Sequence, residues 1–154
     1  MPVDLPPLEQ ERVLCSIGAA IKYGIPANLL LAVAEQEGGR PGQVVRNTNG
    51  SLDVGAMQFN TTYLRDLARY GITPAHVAAA GCYPYELAAW RLRGHLRDDA
   101  GDLWTRAANY HSRTPQYNRR YRAQLIQRAG RWGRWLDQHF PTYEVAASRP
   151  AAAG

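Results

Sequence analysis

The run Leu29-Leu30-Leu31-Ala32-Val33-Ala34, followed by Glu35-Gln36-Glu37 and then Gly38-Gly39, constrains this chain more than any other stretch. Apolar side chains in unbroken succession must be buried, leucine and alanine favour helix, and paired glycines end one. A helix that buries the run carries its last acid toward hydrocarbon, where losing a proton costs free energy and the pKa rises. At about 100° per residue, Leu30, Val33 and Ala34 share the face of Glu37, whereas Glu35 is turned by about 200° to the opposite side. Glu37 therefore has the surroundings of a general acid, and Glu35 reads as a solvated helix-end carboxylate.

Around this helix the pattern is helical almost throughout. Val13, Ile17, Ala20 and Ile21 mark a first helix that stops at Gly24, and Pro26 suits the first turn of the second, which runs to Glu37. Residues 38–60 hold too many glycines and asparagines for a helix, and Asn49-Gly50 is a hairpin signal, so a loop or small hairpin is expected there. Further helices are expected over 61–70, 74–79, 84–97 and 101–111. A last long one begins at Thr114-Pro115 and continues to about Phe140, with weak points at Gly130 and Gly133. The expected organisation is an N-terminal extension at 1–7, one domain over 8–140, and a mobile tail over 141–154.

Composition narrows the class. With 154 residues, 45% hydrophobic and 20% charged, the chain suits one globular domain with a single core. No stretch approaches the roughly 18 apolar residues of a membrane span, and Asp4, Glu9 and Glu11 make the start unlike a signal peptide. The net charge is +5, and seventeen of the eighteen basic residues are arginine, which favours anionic partners with planar acceptors. The last helix interleaves Arg119, Arg120, Arg122, Arg128, Arg131 and Arg134 with aromatics. No nucleic-acid motif accompanies them, so Tyr121, Leu125, Trp132 and Trp135 read as a core stripe and the arginines as a solvated rim. His76, His95, His111 and His139 lack metal-ligand spacing, and neither a metal nor a cofactor is expected. Cys15 and Cys82 fit either one disulfide in an oxidising compartment or two buried thiols in a reducing one.

A second polar constellation follows Glu37 in Asn47-Thr48-Asn49-Gly50-Ser51-Leu52-Asp53-Val54-Gly55-Ala56-Met57-Gln58-Phe59-Asn60. Amides and a carboxylate converging on a turn can hydrogen-bond sugar hydroxyls and acetamido groups, with Asp53 and Gln58 the natural candidates to face a substrate.

Three segments in order, Ala34 to Gly39, the run from Asn47 to Asn60, and Ala107-Ala108-Asn109-Tyr110-His111-Ser112, resemble the motifs of the lysozyme-like lytic transglycosylases. The branch they are most similar to is the small enzymes of conjugative transfer and type IV or type III secretion systems. The resemblance spans residues 13 to about 127. It implies a mostly α fold of the goose-type lysozyme and soluble lytic transglycosylase kind, with Glu37 as catalytic acid. Asp53, Gly55, Met57, Gln58, Asn60, Tyr110 and His111 would line the substrate site, Tyr110 matching the tyrosine that flanks the catalytic glutamate. Gly38 stands where a serine is common, Ala56 where leucine is, and His111 where asparagine is usual. The resemblance also implies a Cys15–Cys82 disulfide, export to the periplasm without a signal peptide in this chain, and partners among peptidoglycan strands and secretion or conjugation proteins.

The implied reaction cleaves the β-1,4 bond between N-acetylmuramic acid and N-acetylglucosamine and leaves a 1,6-anhydro end. Rival readings are a hydrolytic muramidase using Glu37 with Asp53, a non-catalytic peptidoglycan-binding assembly factor, and a nucleic-acid binder.

Overall fold

The computed structural model describes residues 5–140, and these are mostly helical. Helix α1 spans Pro7–Tyr23, opens with a proline in its first turn and ends at Gly24, whose φ of 66° lets it close the helix in the left-handed conformation. Helix α2 spans Ala27–Glu37, with Pro26 as its N-cap residue and Gly38, at φ 63°, closing its end. Leu29 through Ala34 are all buried, not only the face shared with Glu37. The helix is covered by α1 on one side and by the last helix on another, so no turn of its apolar run meets water. Each buried leucine contributes roughly 1.5–3 kcal/mol, which makes α2 the element around which the domain is assembled.

Residues 38–60 form an antiparallel sheet in the order β1-β2-β3, from β1 (Val44–Arg46), β2 (Leu52–Val54) and β3 (Phe59–Asn60). Asn47 to Ser51 make the β1–β2 turn: Gly50 N–H donates to the Asn47 carbonyl at 3.0 Å, and Asn49 Oδ1 accepts from Ser51 N–H at 2.9 Å. The register sets Asp53 opposite Val45 on one side and Asn60 on the other.

Helix α3 (Thr61–Leu67) starts on an Asn60 cap and runs into a 3-10 turn at Ala68–Tyr70. Helix α4 (Pro74–Ala78) is held by a reciprocal cap between Thr73 and His76. Then come α5 (Tyr83–Asp98), α6 (Leu103–Ala108), shorter than expected, and α7 (Pro115–His139), which passes through Gly130 and Gly133 without a break. Asn118, Tyr121, Leu125 and Ala129 form the buried stripe of α7, while Trp132 and Trp135 are only half-buried at its edge.

One hydrophobic cluster joins α1, α2, the sheet and α3 to α7. A disulfide between Cys15 and Cys82, with Cα atoms 4.9 Å apart, ties α1 to the start of α5, as the resemblance implied. Among the described residues no helix is long and apolar enough to cross a membrane. The expected tail at 141–154 and the first four residues lie outside the described residues, and Pro7, expected in the extension, already belongs to α1.

Candidate active site

Glu37 sits at the C-terminal end of α2, where the left-handed Gly38 turns the chain away and leaves the carboxyl group facing a groove. Burial pushes its pKa up to about 7, a rise strengthened by the charge of Asp53 and opposed by a hydrogen bond from Tyr121 and the charge of Arg91. The Tyr121 hydroxyl donates to Glu37 Oε2 at 2.8 Å. Tyr121 is itself pushed well above the ordinary tyrosine range, by burial first and the neighbouring carboxylate second, so it remains a neutral donor.

Two clefts meet at this acid. One, of about 310 Å³, is lined by Asn47, Asp53, Gln58, Asn60, Arg91 and Tyr110 together with Glu37 and His111. The other, of about 250 Å³, is lined by Gln36, Tyr117, Arg120, Tyr121 and Gln124, again with Glu37 and His111. Glu37 and His111 therefore stand at the junction, with a polar amide-rich cleft toward the sheet and a cleft toward α7.

The sheet side carries most of the expected polar residues. Asn60 Nδ2 donates to Asp53 Oδ1 at 2.9 Å and to Ser51 Oγ at 3.0 Å. Gln58 adopts a positive φ of 53° and donates from its amide to the Gly55 carbonyl at 2.9 Å. These groups hold one another in place, which presents a preorganised surface to anything in the cleft. His111 stacks on the Tyr121 ring, with centroids 4.8 Å apart and planes within 4°. Its pKa is lowered, chiefly by desolvation, against the pull of Asp53.

Two expected site residues lie behind the cleft. Met57 is wholly buried in the core, because the turn from β2 to β3 points it inward. Gly55, at φ 78°, is pressed against α4: a Cβ there would come within 2.2 Å of the Val77 carbonyl oxygen. Gly39 is equally tight, since its Cβ would meet the Gly55 carbonyl at 2.2 Å. The glycines in this segment bring the sheet against the end of α2 and so place Asp53 and Gln58 beside Glu37; they do not face the cleft.

Tyr110 lines the cleft with Glu37, but its buried hydroxyl has no hydrogen-bond partner among the described residues. The hydroxyl bonded to Glu37 belongs to Tyr121. Sequence reasoning placed Tyr121 in the core stripe, which is correct, and missed its bond to the acid because the two residues are 84 positions apart. Arg91 was missed as well. Its guanidinium lies between the rings of Tyr63 and Tyr110, 4.1 and 4.3 Å from their centroids, and donates to the Tyr110 carbonyl at 2.8 Å. A signal existed: Arg91 follows Leu87 and Ala88 at helical spacing, which puts a cation on an apolar face.

Glu35 is not the solvated residue expected. It is half-buried and accepts from Arg131 at 2.6 Å and from the Trp132 indole at 2.8 Å, and it pairs with Arg128, so it fastens α2 to α7. Arg128 accordingly leaves the solvated rim, whereas Arg131, though paired with Glu35, stays exposed with Arg119, Arg120 and Arg134.

No protein-family model matches the chain. Invasion protein IagB of Salmonella typhimurium is 33% identical over 69 residues, 44% of this chain and 43% of that protein. The match thus spans less than half the length of IagB. Protein IpgF of Shigella flexneri is 30% identical over 117 residues, 75% of this chain and 76% of IpgF.

Proposed function

The chain belongs to the family of the Shigella protein IpgF, and from that premise we propose that it is a peptidoglycan lytic transglycosylase with a lysozyme-like fold. The observation that carries this reading is Glu37: an acid raised to about 7, bonded to a tyrosine, at the meeting point of two clefts. A polymer lying along both clefts would pass its scissile bond over the carboxyl group.

In the first step Glu37, protonated, gives its proton to the glycosidic oxygen as the C1–O bond breaks, and positive charge develops at C1 of the muramic acid ring. The departing N-acetylglucosamine leaves with a hydroxyl group. Glu37, now a carboxylate held by Tyr121, next takes the proton from the C6 hydroxyl of the same muramic acid. O6 closes on C1, the product is the 1,6-anhydro sugar, and Glu37 ends protonated as it began. No water is consumed. Arg91 and Tyr121 favour the carboxylate formed between the steps, while burial restores the acid, so one group serves both.

A hydrolytic muramidase is the second reading, and Asp53 favours it by sharing the cleft and the electrostatics of Glu37. The disulfide supports an oxidising compartment, and we place the protein in the periplasm, opening the wall locally for a secretion or conjugation apparatus. Mass spectrometry of the fragments that wild type and Glu37→Gln release from purified walls tests the reading. Anhydro fragments from wild type and none from the variant are expected. Fragments heavier by one water would establish the muramidase, and equal release by both proteins would remove Glu37 as the acid.

A further inference from the structure

A cavity of about 660 Å³ lies outside the Glu37 site and is walled by α3 and α5. Arg91 is the partition. Of the two rings that hold its guanidinium, Tyr110 faces the Glu37 cleft and Tyr63 faces this cavity. The floor is one face of α5: Trp90, Arg93, Gly94 and Arg97 recur at helical spacing and line the cavity. Gly94 lines this trough without a side chain, and the space beside it is open: a Cβ there would meet nothing within 4 Å. Trp90 leaves 43% of its surface exposed along the edge.

The charges in the trough are of both signs and largely uncommitted. Arg93 and Asp66 enter no ion pair among the described residues, and Arg97 meets Asp98 only at 3.9 Å. Asp99, by contrast, is taken: it accepts from Asn109 at 2.9 Å and Arg113 at 3.2 Å and contacts His95 Nδ1 at 2.6 Å. That network fixes the end wall, where His95 and Asp99 line the cavity. A ligand for such a trough carries carboxylates for the guanidinium forks and an ammonium for Asp66, with an elongated backbone to lie along Trp90 and Gly94.

We propose that this trough binds a short zwitterionic peptide, Arg93 and Arg97 holding its carboxylates and Asp66 its amine, beside the glycan groove. The inference rests on the wall-cleaving reading above, since the stem peptides borne by muramic acid have that chemistry, and the shared Arg91 partition sets the two sites side by side. The trough then selects peptide-bearing strands over bare ones.

Two measurements test it. In 15N NMR, titration of the full chain with the tetrapeptide L-alanyl-γ-D-glutamyl-meso-diaminopimelyl-D-alanine is expected to shift the Trp90 indole and the Gly94 and His95 amides, with affinity lowered at least tenfold in Gly94→Trp and in Arg93→Ala/Arg97→Ala. Shifts elsewhere, or none up to roughly 10 mM peptide, overturn the proposal. In cleavage assays the ratio of release from intact walls to release from amidase-stripped glycan is expected to fall at least fivefold in both variants, and a ratio of one for wild type overturns selection by the peptide. If wild type cleaves neither substrate, the transglycosylase reading fails, and the NMR shifts still decide whether the trough is a peptide site.

Discussion

Burial at Glu37 makes ionisation a cost carried by the folded protein. A carboxyl raised from 4.5 to about 7 holds its proton more tightly folded than unfolded, so stability falls as pH rises between these values and the full penalty remains above them. A rise of that size corresponds to roughly 3 kcal/mol. Glu37→Gln, which keeps an acceptor for Tyr121, is therefore expected to gain stability at pH 8 and little at pH 4, checked by urea melts at both. Tyr121→Phe acts on the same proton from the other side. Its hydroxyl stabilises the carboxylate, so the variant raises the pKa of Glu37 further. The alkaline limb of the pH–rate profile should move up by about one unit, as expected for a hydrogen bond to a charged group, with turnover reduced roughly tenfold. An unmoved limb would detach Tyr121 from the titration.

At the scale of elements, the α2–α7 contact decides where the acid points. Its core is the Tyr121, Leu125 and Ala129 stripe against the apolar run of α2, and its polar edge is Glu35 with Arg128, Arg131 and Trp132. Burial works to raise the pKa of Glu35, but hydrogen bonds from Arg131 and Trp132 and the arginine charges prevail and hold it below the usual range. The sign is opposite to that of Glu37: this stabilisation is present above the ordinary glutamate pKa and is lost as pH falls through the depressed one. Glu35→Gln should destabilise the protein at pH 7 by about 1 kcal/mol, discounted because Arg131 is largely exposed, and by much less at pH 3. Thermal melts across that range check it. An equal loss at both pH values would mean that packing, not charge, holds this edge.

At the scale of the molecule, a single core ties α1, α2, α5 and α7 together, and the Cys15–Cys82 bond closes a loop of 67 residues across it. Chain entropy assigns such a loop roughly 4 kcal/mol. The double variant Cys15→Ser/Cys82→Ser is expected to melt about 10 °C lower under oxidising conditions, and reduction of wild type should match it. The variant's 1H–15N spectrum should retain the Glu37–Tyr121 environment, because neither cysteine touches the groove.

What the linear chain determined by itself was local. The apolar run with its glycine stop set α2 and the placement of Glu37, the Asn49-Gly50 turn set the hairpin, and proline and glycine punctuation set most helix limits. These follow from interactions within a few residues, where periodicity and backbone preference suffice. The tertiary structure alone decided which distant groups meet. It sent the Tyr121 hydroxyl, not that of Tyr110, to Glu37; it turned Glu35 from a solvated end into a tie; and it inserted Arg91 between two rings. It also drew Gly55 and Met57 out of the site, since a segment that touches a groove must bury one of its faces. Contacts between residues many positions apart are set by how helices pack, and the apolar run of α2, buried all round, does not itself say which distant elements cover each side.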